Sequence, residues 1–233
     1  NMAQSNSKLY AVVYALCDEA FKHLSGEKRD EIIETIQEFA IFSAAAALAG
    51  NVVPELGALL AVVAQTGLVW ALYVKINNVI GLEMSKSTAK FIGSAILTNI
   101  SLNAGTLLLS YAGAVVVGLI PVFGQFAAAG IEAALGYMLI YLAAVLYLIF
   151  LTKVFNERGK IEITGDKKDE QIIKGVIKNT NLKDILNEAK SNYKAAKKNG
   201  DIDRASKNLK CPVCGEPVDS NKTYCTNCGT KLR

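Results

Sequence analysis

A run of twenty residues, Ala133 to Thr152, carries no charged side chain. It reads AALGYMLIYLAAVLYLIFLT and is flanked by Glu132 and Lys153. Formed as an α-helix, about 20 apolar residues reach across the hydrocarbon core of a bilayer. The apolar side chains lie on every side of the helix, so burying a single stripe cannot satisfy them. Such a helix has to be enclosed all round. Ten of its residues are Leu, Ile, Val or Phe, and each favours membrane insertion by roughly 0.3–0.6 kcal/mol near a helix centre. No residue brings the penalty of roughly 2.5–3.5 kcal/mol that a central Asp, Lys or Arg carries. Tyr137, Tyr141 and Tyr147 suit lipid less well and are expected on a side that faces another helix.

Charge divides the rest of the chain into three compartments. Residues 1–38 hold seven acids against Lys8, Lys22, Lys28 and Arg29. From Phe39 to Thr152 the only charges are Glu55, Lys75, Glu83, Lys86, Lys90 and Glu132. From Lys153 onward eighteen Lys and Arg face eleven acids. A basic flank beside an apolar block suits the cytosolic side of a membrane. The interleaved acids and the lack of an aromatic platform argue against a nucleic-acid partner. No basic segment followed by an apolar one opens the chain, so no cleavable signal peptide is expected there.

Helical periodicity recurs along the chain. Ser7–Leu24 has one apolar face, with Leu9, Val12, Val13, Leu16, Ala20, Phe21 and Leu24 at helical spacing. Glu27–Ala49 begins charged and ends as AIFSAAAALA, and Gly50 to Pro54 then break it. Leu56–Val74, Asn103–Ile120 and Ala133–Thr152 are expected to span lipid. Phe39–Ala49 is short, so three or four spans are open, and the hairpin at Gly50–Pro54 favours four with both termini inside. Pro121 reverses the chain between the last two. Small residues at Ala104, Gly105, Ala112, Gly113 and Ala114 allow close helix approach, in lipid or in a tight soluble bundle. Lys160–Thr164 alternates like a short strand. Asp166–Ala196 is polar and helical with a narrow apolar face, and 197–206 reads as a linker.

Four of the five cysteines form two pairs, Cys211-Pro-Val-Cys214-Gly and Cys225-Thr-Asn-Cys228-Gly. Each pair offers two thiolates to one ion, and two such pairs close a tetrahedral four-sulfur site that suits zinc. Unpaired thiols also point to a reducing compartment. Gly215 and Gly229 can adopt the positive φ of a tight knuckle and are expected to turn their N–H groups toward the sulfurs. Lys210, Lys222 and Lys231 offset the negative charge. Leu209 to Leu232 resembles the short zinc-ribbon family. With all four positions filled by protein, the zinc is expected to be structural.

The apolar block carries a second resemblance. Asn51-Val-Val-Pro54-Glu55-Leu-Gly57 opens one apolar helix. Ile120-Pro121-Val-Phe-Gly124-Gln125 opens another, with Gly136 downstream. Residues 39–155 thereby resemble the YcjF-type family of unknown function, whose domains often accompany GTPase domains. The resemblance implies a GTPase as a separate partner, because this chain has no Gly-x-x-x-x-Gly-Lys-Ser/Thr loop.

The expected fold is mostly α, an apolar helical-hairpin membrane block with a small C-terminal zinc ribbon. Residues 1–38 form an amphipathic helical segment, 39–155 the membrane domain, 156–206 a polar helical stalk and linker, and 207–233 the ribbon. The metal ligands are Cys211, Cys214, Cys225 and Cys228. No catalytic or cofactor-binding residues are assigned. His23, the only histidine, has no supporting motif, and Cys17 reads as a small core residue. The expected function is a non-enzymatic, multi-pass cell-membrane protein, with its ribbon in the cytoplasm, that anchors or scaffolds a partner or a second copy of itself. Two alternatives stand beside it. One is a membrane-inserting or pore-forming protein that stores its apolar hairpin inside a soluble bundle. The other is a small channel or transporter using Glu132, a carboxylate inside an apolar helix. Without a phosphate-cradling loop, purified protein should hydrolyse neither ATP nor GTP. Phosphate release that a point change in this chain abolishes would contradict that.

Overall fold

The computed structural model describes residues 7–49, 58–119, 125–219 and 222–232, with backbone alone for 58–65, 117–119 and 125–128. The described residues form eight helices: α1 Lys8–Ala20, α2 Gly26–Ala49, α3 Ala58–Ile80, α4 Lys86–Leu119, α5 Gln125–Arg158, α6 Lys167–Asn179, α7 Leu182–Lys198 and α8 Asp201–Lys207. Among them there is no β-strand, only two isolated bridges near the C-terminus. The mostly α fold is as expected. The breaks expected at Gly50–Pro54 and Pro121 lie outside the described residues.

Helix α5, 34 residues long, is the axis of the molecule. It packs against α1, α2, α3, α4, α6 and α7. Every residue from Ala133 to Leu148 is buried. Among the described residues, three helices are long and apolar enough to cross a membrane: Gly26–Ala49, Lys86–Val116 and Ala129–Arg158. The most apolar window of the third is 94% buried within the protein, against 61% and 44% for the first two. The most lipid-like helix is therefore the one most completely covered by protein. Helix α4 lies at the periphery, where Leu102 and Leu109 are exposed. The start of the expected span Leu56–Val74 lies outside the described residues.

The three α5 tyrosines each meet another helix. Tyr147 stacks on Tyr73 of α3 with ring centroids 3.9 Å apart. Its hydroxyl donates to Asn77 Oδ1 at 2.6 Å, and the Tyr73 hydroxyl donates to the Ala143 carbonyl at 2.9 Å. Tyr137 meets Tyr193 of α7 edge-on at 5.6 Å. Tyr141 donates to Glu188 of α7. That same carboxylate accepts from the Lys8 and Leu9 amides at 2.7 and 3.4 Å and from the Ser7 hydroxyl. Glu188 thus caps the N-terminus of α1, satisfying donors that a helix start leaves unpaired. Buried polar groups keep partners, so these bonds set the register of α1, α3 and α7 along an otherwise featureless apolar rod.

The segment expected to form a stalk folds back instead. Helices α6 and α7 pack on α5 and α4, burying Ile173, Val176 and Ile177 from one and Ile185, Leu186, Ala189 and Tyr193 from the other. Their apolar faces are too continuous to leave in water, and α5 offers the complementary surface. Lys160–Thr164 forms no strand, since no partner strand lies beside it. The turn is held by Asp169, which is fully buried. Asp169 pairs with Arg158 at 2.8 Å and accepts from the Thr164 and Gly165 amides at 2.9 and 2.7 Å. Asp166 caps α6 through the Lys168 and Asp169 amides. Arg158 keeps some contact with water, so removing its partner costs less than breaking a fully buried pair. Asp169→Ala should lower the unfolding free energy by roughly 2–3 kcal/mol, as measured by urea denaturation, with helix content retained.

Candidate metal centre

The centre grows from two knuckles of the same construction. In the first, the Cys211 amide donates to the Glu216 carbonyl and the Gly215 amide to the Cys211 carbonyl, both at 2.8 Å. In the second, the Cys225 amide donates to the Thr230 carbonyl at 2.8 Å and the Gly229 amide to the Cys225 carbonyl at 2.9 Å. Bridges Lys210–Pro217 and Tyr224–Lys231 close the two hairpins. Each of these residues lies fourteen positions from its counterpart, so the ribbon repeats one turn geometry twice. Gly215 and Gly229 have φ of 76° and 70°, a conformation other residues adopt at a cost. Their amides point to backbone carbonyls, not to the sulfurs as expected. The backbone donors to sulfur are the Val213 and Cys214 amides for Cys211 and the Thr230 amide for Cys228.

The knuckles bring Cys211, Cys214, Cys225 and Cys228 together with all four Sγ atoms within 4.8 Å of one another. Cys211 and Cys228 are 3.7 Å apart, and Cys214 and Cys225 3.6 Å. A tetrahedron of thiolates at about 2.3 Å from zinc has sulfur–sulfur edges of about 3.8 Å. The donor set fits zinc in number, chemistry and spacing. It leaves no coordination position for water or substrate, so an ion there would hold the fold and not perform catalysis.

The sulfurs are not equivalent. Burial pushes the Cys211 thiol up to about 12, against the pull of its amide donors. Desolvation also acts on Cys228, but this residue is exposed. Hydrogen bonds from the Thr230 hydroxyl and amide outweigh that effect and lower it to about 6. The Thr230 donors thus favour the thiolate at Cys228, whereas burial opposes it at Cys211.

Residues 210–232 match the family model of the zinc-ribbon domain. This segment is a zinc ribbon. No curated protein and no solved structure matches the chain. The likeness of residues 39–155 to the YcjF-type family finds no support there, and its two helix-opening motifs lie almost entirely outside the described residues.

The remaining candidates do not assemble into a second site. Glu132 sits half-buried near the start of α5. His23 is exposed beyond the end of α1, its ring edge-to-face with that of Phe21. Cys17 is buried among core residues, and desolvation raises its pKa. The fourteen-residue repeat was visible in the repeated Cys-x-x-Cys-Gly. The ribbon also touches α3, where Lys75 reaches the Pro212 carbonyl and Lys231 lies across Gly67; these contacts had no sequence signal, because Gly67 and Lys75 carry no motif.

Purified protein should contain one zinc per chain, lost on substituting any two of the four cysteines by serine, as read by elemental analysis. In zinc-loaded protein at pH 7, iodoacetamide should modify the exposed Cys228 first and the buried Cys211 last, and chelation should raise all four rates. Equal alkylation rates by mass spectrometry would contradict the assigned asymmetry.

Proposed function

We propose that this chain is a non-enzymatic membrane-inserting protein that carries its bilayer-crossing helix inside a sheath of its own amphipathic helices. The observation that carries this reading is the environment of α5. A helix of spanning length and composition is covered by α1, α2, α6 and α7, and its midpoint is tied by Tyr141 to Glu188. Lipid and the sheath would occupy the same surface. Insertion therefore requires α6 and α7 to leave, and their lysine-rich outer faces suit an anionic membrane surface once they do. The basic segment after Lys153 and the reduced cysteines favour the cytoplasmic side.

A second reading is favoured by α4, whose Leu102 and Leu109 face outward with no protein cover. In it the chain is a permanent multi-pass anchor whose ribbon recruits a protein partner such as a GTPase. Hydrogen exchange at 182–198, with and without vesicles rich in phosphatidylglycerol, separates the two. The first reading expects detergent-free soluble protein, protection of α7 in solution, and loss of that protection on vesicle binding. Recovery only in the carbonate-resistant membrane fraction, with α7 still protected, would overturn it in favour of the anchor.

A further inference from the structure

The ribbon is seated on α3. Lys75 Nζ donates to the Pro212 carbonyl at 3.0 Å, and Pro212 lies inside the first knuckle. Lys75 also pairs with Glu38 of α2, 3.6 Å away. The second knuckle bears on Gly67. A Cβ at that position would meet the Cβ, Cγ and Cδ of Lys231 at 2.6, 2.7 and 2.8 Å. The lysine stem thus lies directly across the α3 backbone, where only glycine leaves room. Leu209 and Leu232, which flank the knuckles, are buried. Gly67 and Lys75 are about 12 Å apart along the helix, so each knuckle grips α3 at its own point, two turns from the other.

A grip at two points works only if the knuckles keep a fixed separation. Each isolated bridge closes its own knuckle, and the four sulfurs are what bring the two knuckles together. A segment of this size buries too little to fold on its own core, and in such domains the metal supplies the folding free energy. Between the two contacts the α3 sequence, Leu68 to Val74, is apolar, with no charge before Lys75.

We propose that the zinc ribbon is a metal-gated clamp on α3: with zinc bound, it holds the Gly67–Lys75 face covered, and loss of zinc releases that face. The covered face would then become available to a lipid surface, a consequence that rests on the membrane-inserting reading above. The clamp itself does not depend on it.

The test uses the full chain loaded with zinc. Acylation of Lys75 by an amine-reactive reagent is followed by mass spectrometry, before and after chelation. Release of the Pro212 contact should raise the Lys75 rate at least fivefold. Gly67→Leu, which forces Lys231 off the helix without touching a ligand, should show the same rise while still binding one zinc. A Lys75 rate unchanged within twofold after zinc has been removed would overturn the clamp, whether or not the variant folds. Co-sedimentation with phosphatidylglycerol vesicles is read in parallel. A rise in Lys75 reactivity without a rise in vesicle binding leaves the clamp standing and removes the availability of the α3 face to lipid.

Discussion

A helix that is apolar on every side cannot face water, and the rest of this molecule is arranged around that constraint. Ten Leu, Ile, Val and Phe residues lie between Ala133 and Thr152. Burial of each stabilises by roughly 1.5–3 kcal/mol, so the set is worth more than the whole net stability of a typical domain, about 5–15 kcal/mol. No arrangement that leaves α5 exposed can survive. The choice is between two covers, lipid and polypeptide. The structure uses polypeptide, drawing it from both ends of the chain, with α1 and α2 before the apolar block and α6 and α7 after it.

The polypeptide cover is specific where lipid would not be. Hydrophobic contact alone would let amphipathic helices slide along α5, because one Leu resembles another. Tyr141 with Glu188, Tyr147 with Asn77, and Asp169 with Arg158 remove that freedom. The same groups oppose exchange of the cover. A tyrosine hydroxyl stripped of Glu188 and placed near a bilayer centre has no water to replace its partner. Insertion of α5 therefore carries a polar cost at the positions that make the sheathed form unique. A closed form held by a few hydrogen bonds over a large apolar surface has two separable controls, one on register and one on total stability.

In the clamp proposed above, the metal centre adds a third control at a distance from α5. Its four sulfurs are supplied by a segment with almost no core of its own, yet that segment touches α3 through both halves. Small metal-folded modules transmit the state of the ion to whatever they rest on, since their shape exists only while the ligands are held together. Here that neighbour is one of the apolar helices, linked through Lys75 to α2 and through Tyr73 to α5.

Composition and spacing were sufficient for the helical class, for the all-round apolar character of α5 and for the four metal ligands. Each of these depends on residues close together in the chain: a charge-free run, a helical period, a Cys-x-x-Cys-Gly repeated after fourteen positions. What covers α5 was not legible, because an apolar surface accepts lipid and a complementary helix equally well. The polar segment after Lys153 has the composition of a free stalk, and its narrow apolar face does not say what it lies against. Only the assembled structure shows α7 on α5, with Glu188 reaching Tyr141 and capping α1 some 180 residues earlier in the chain. The same holds for the ribbon: the sulfurs declare themselves locally, whereas the seat on Gly67 and Lys75 depends on a close approach between distant segments, and packing at that range is decided by shape in three dimensions.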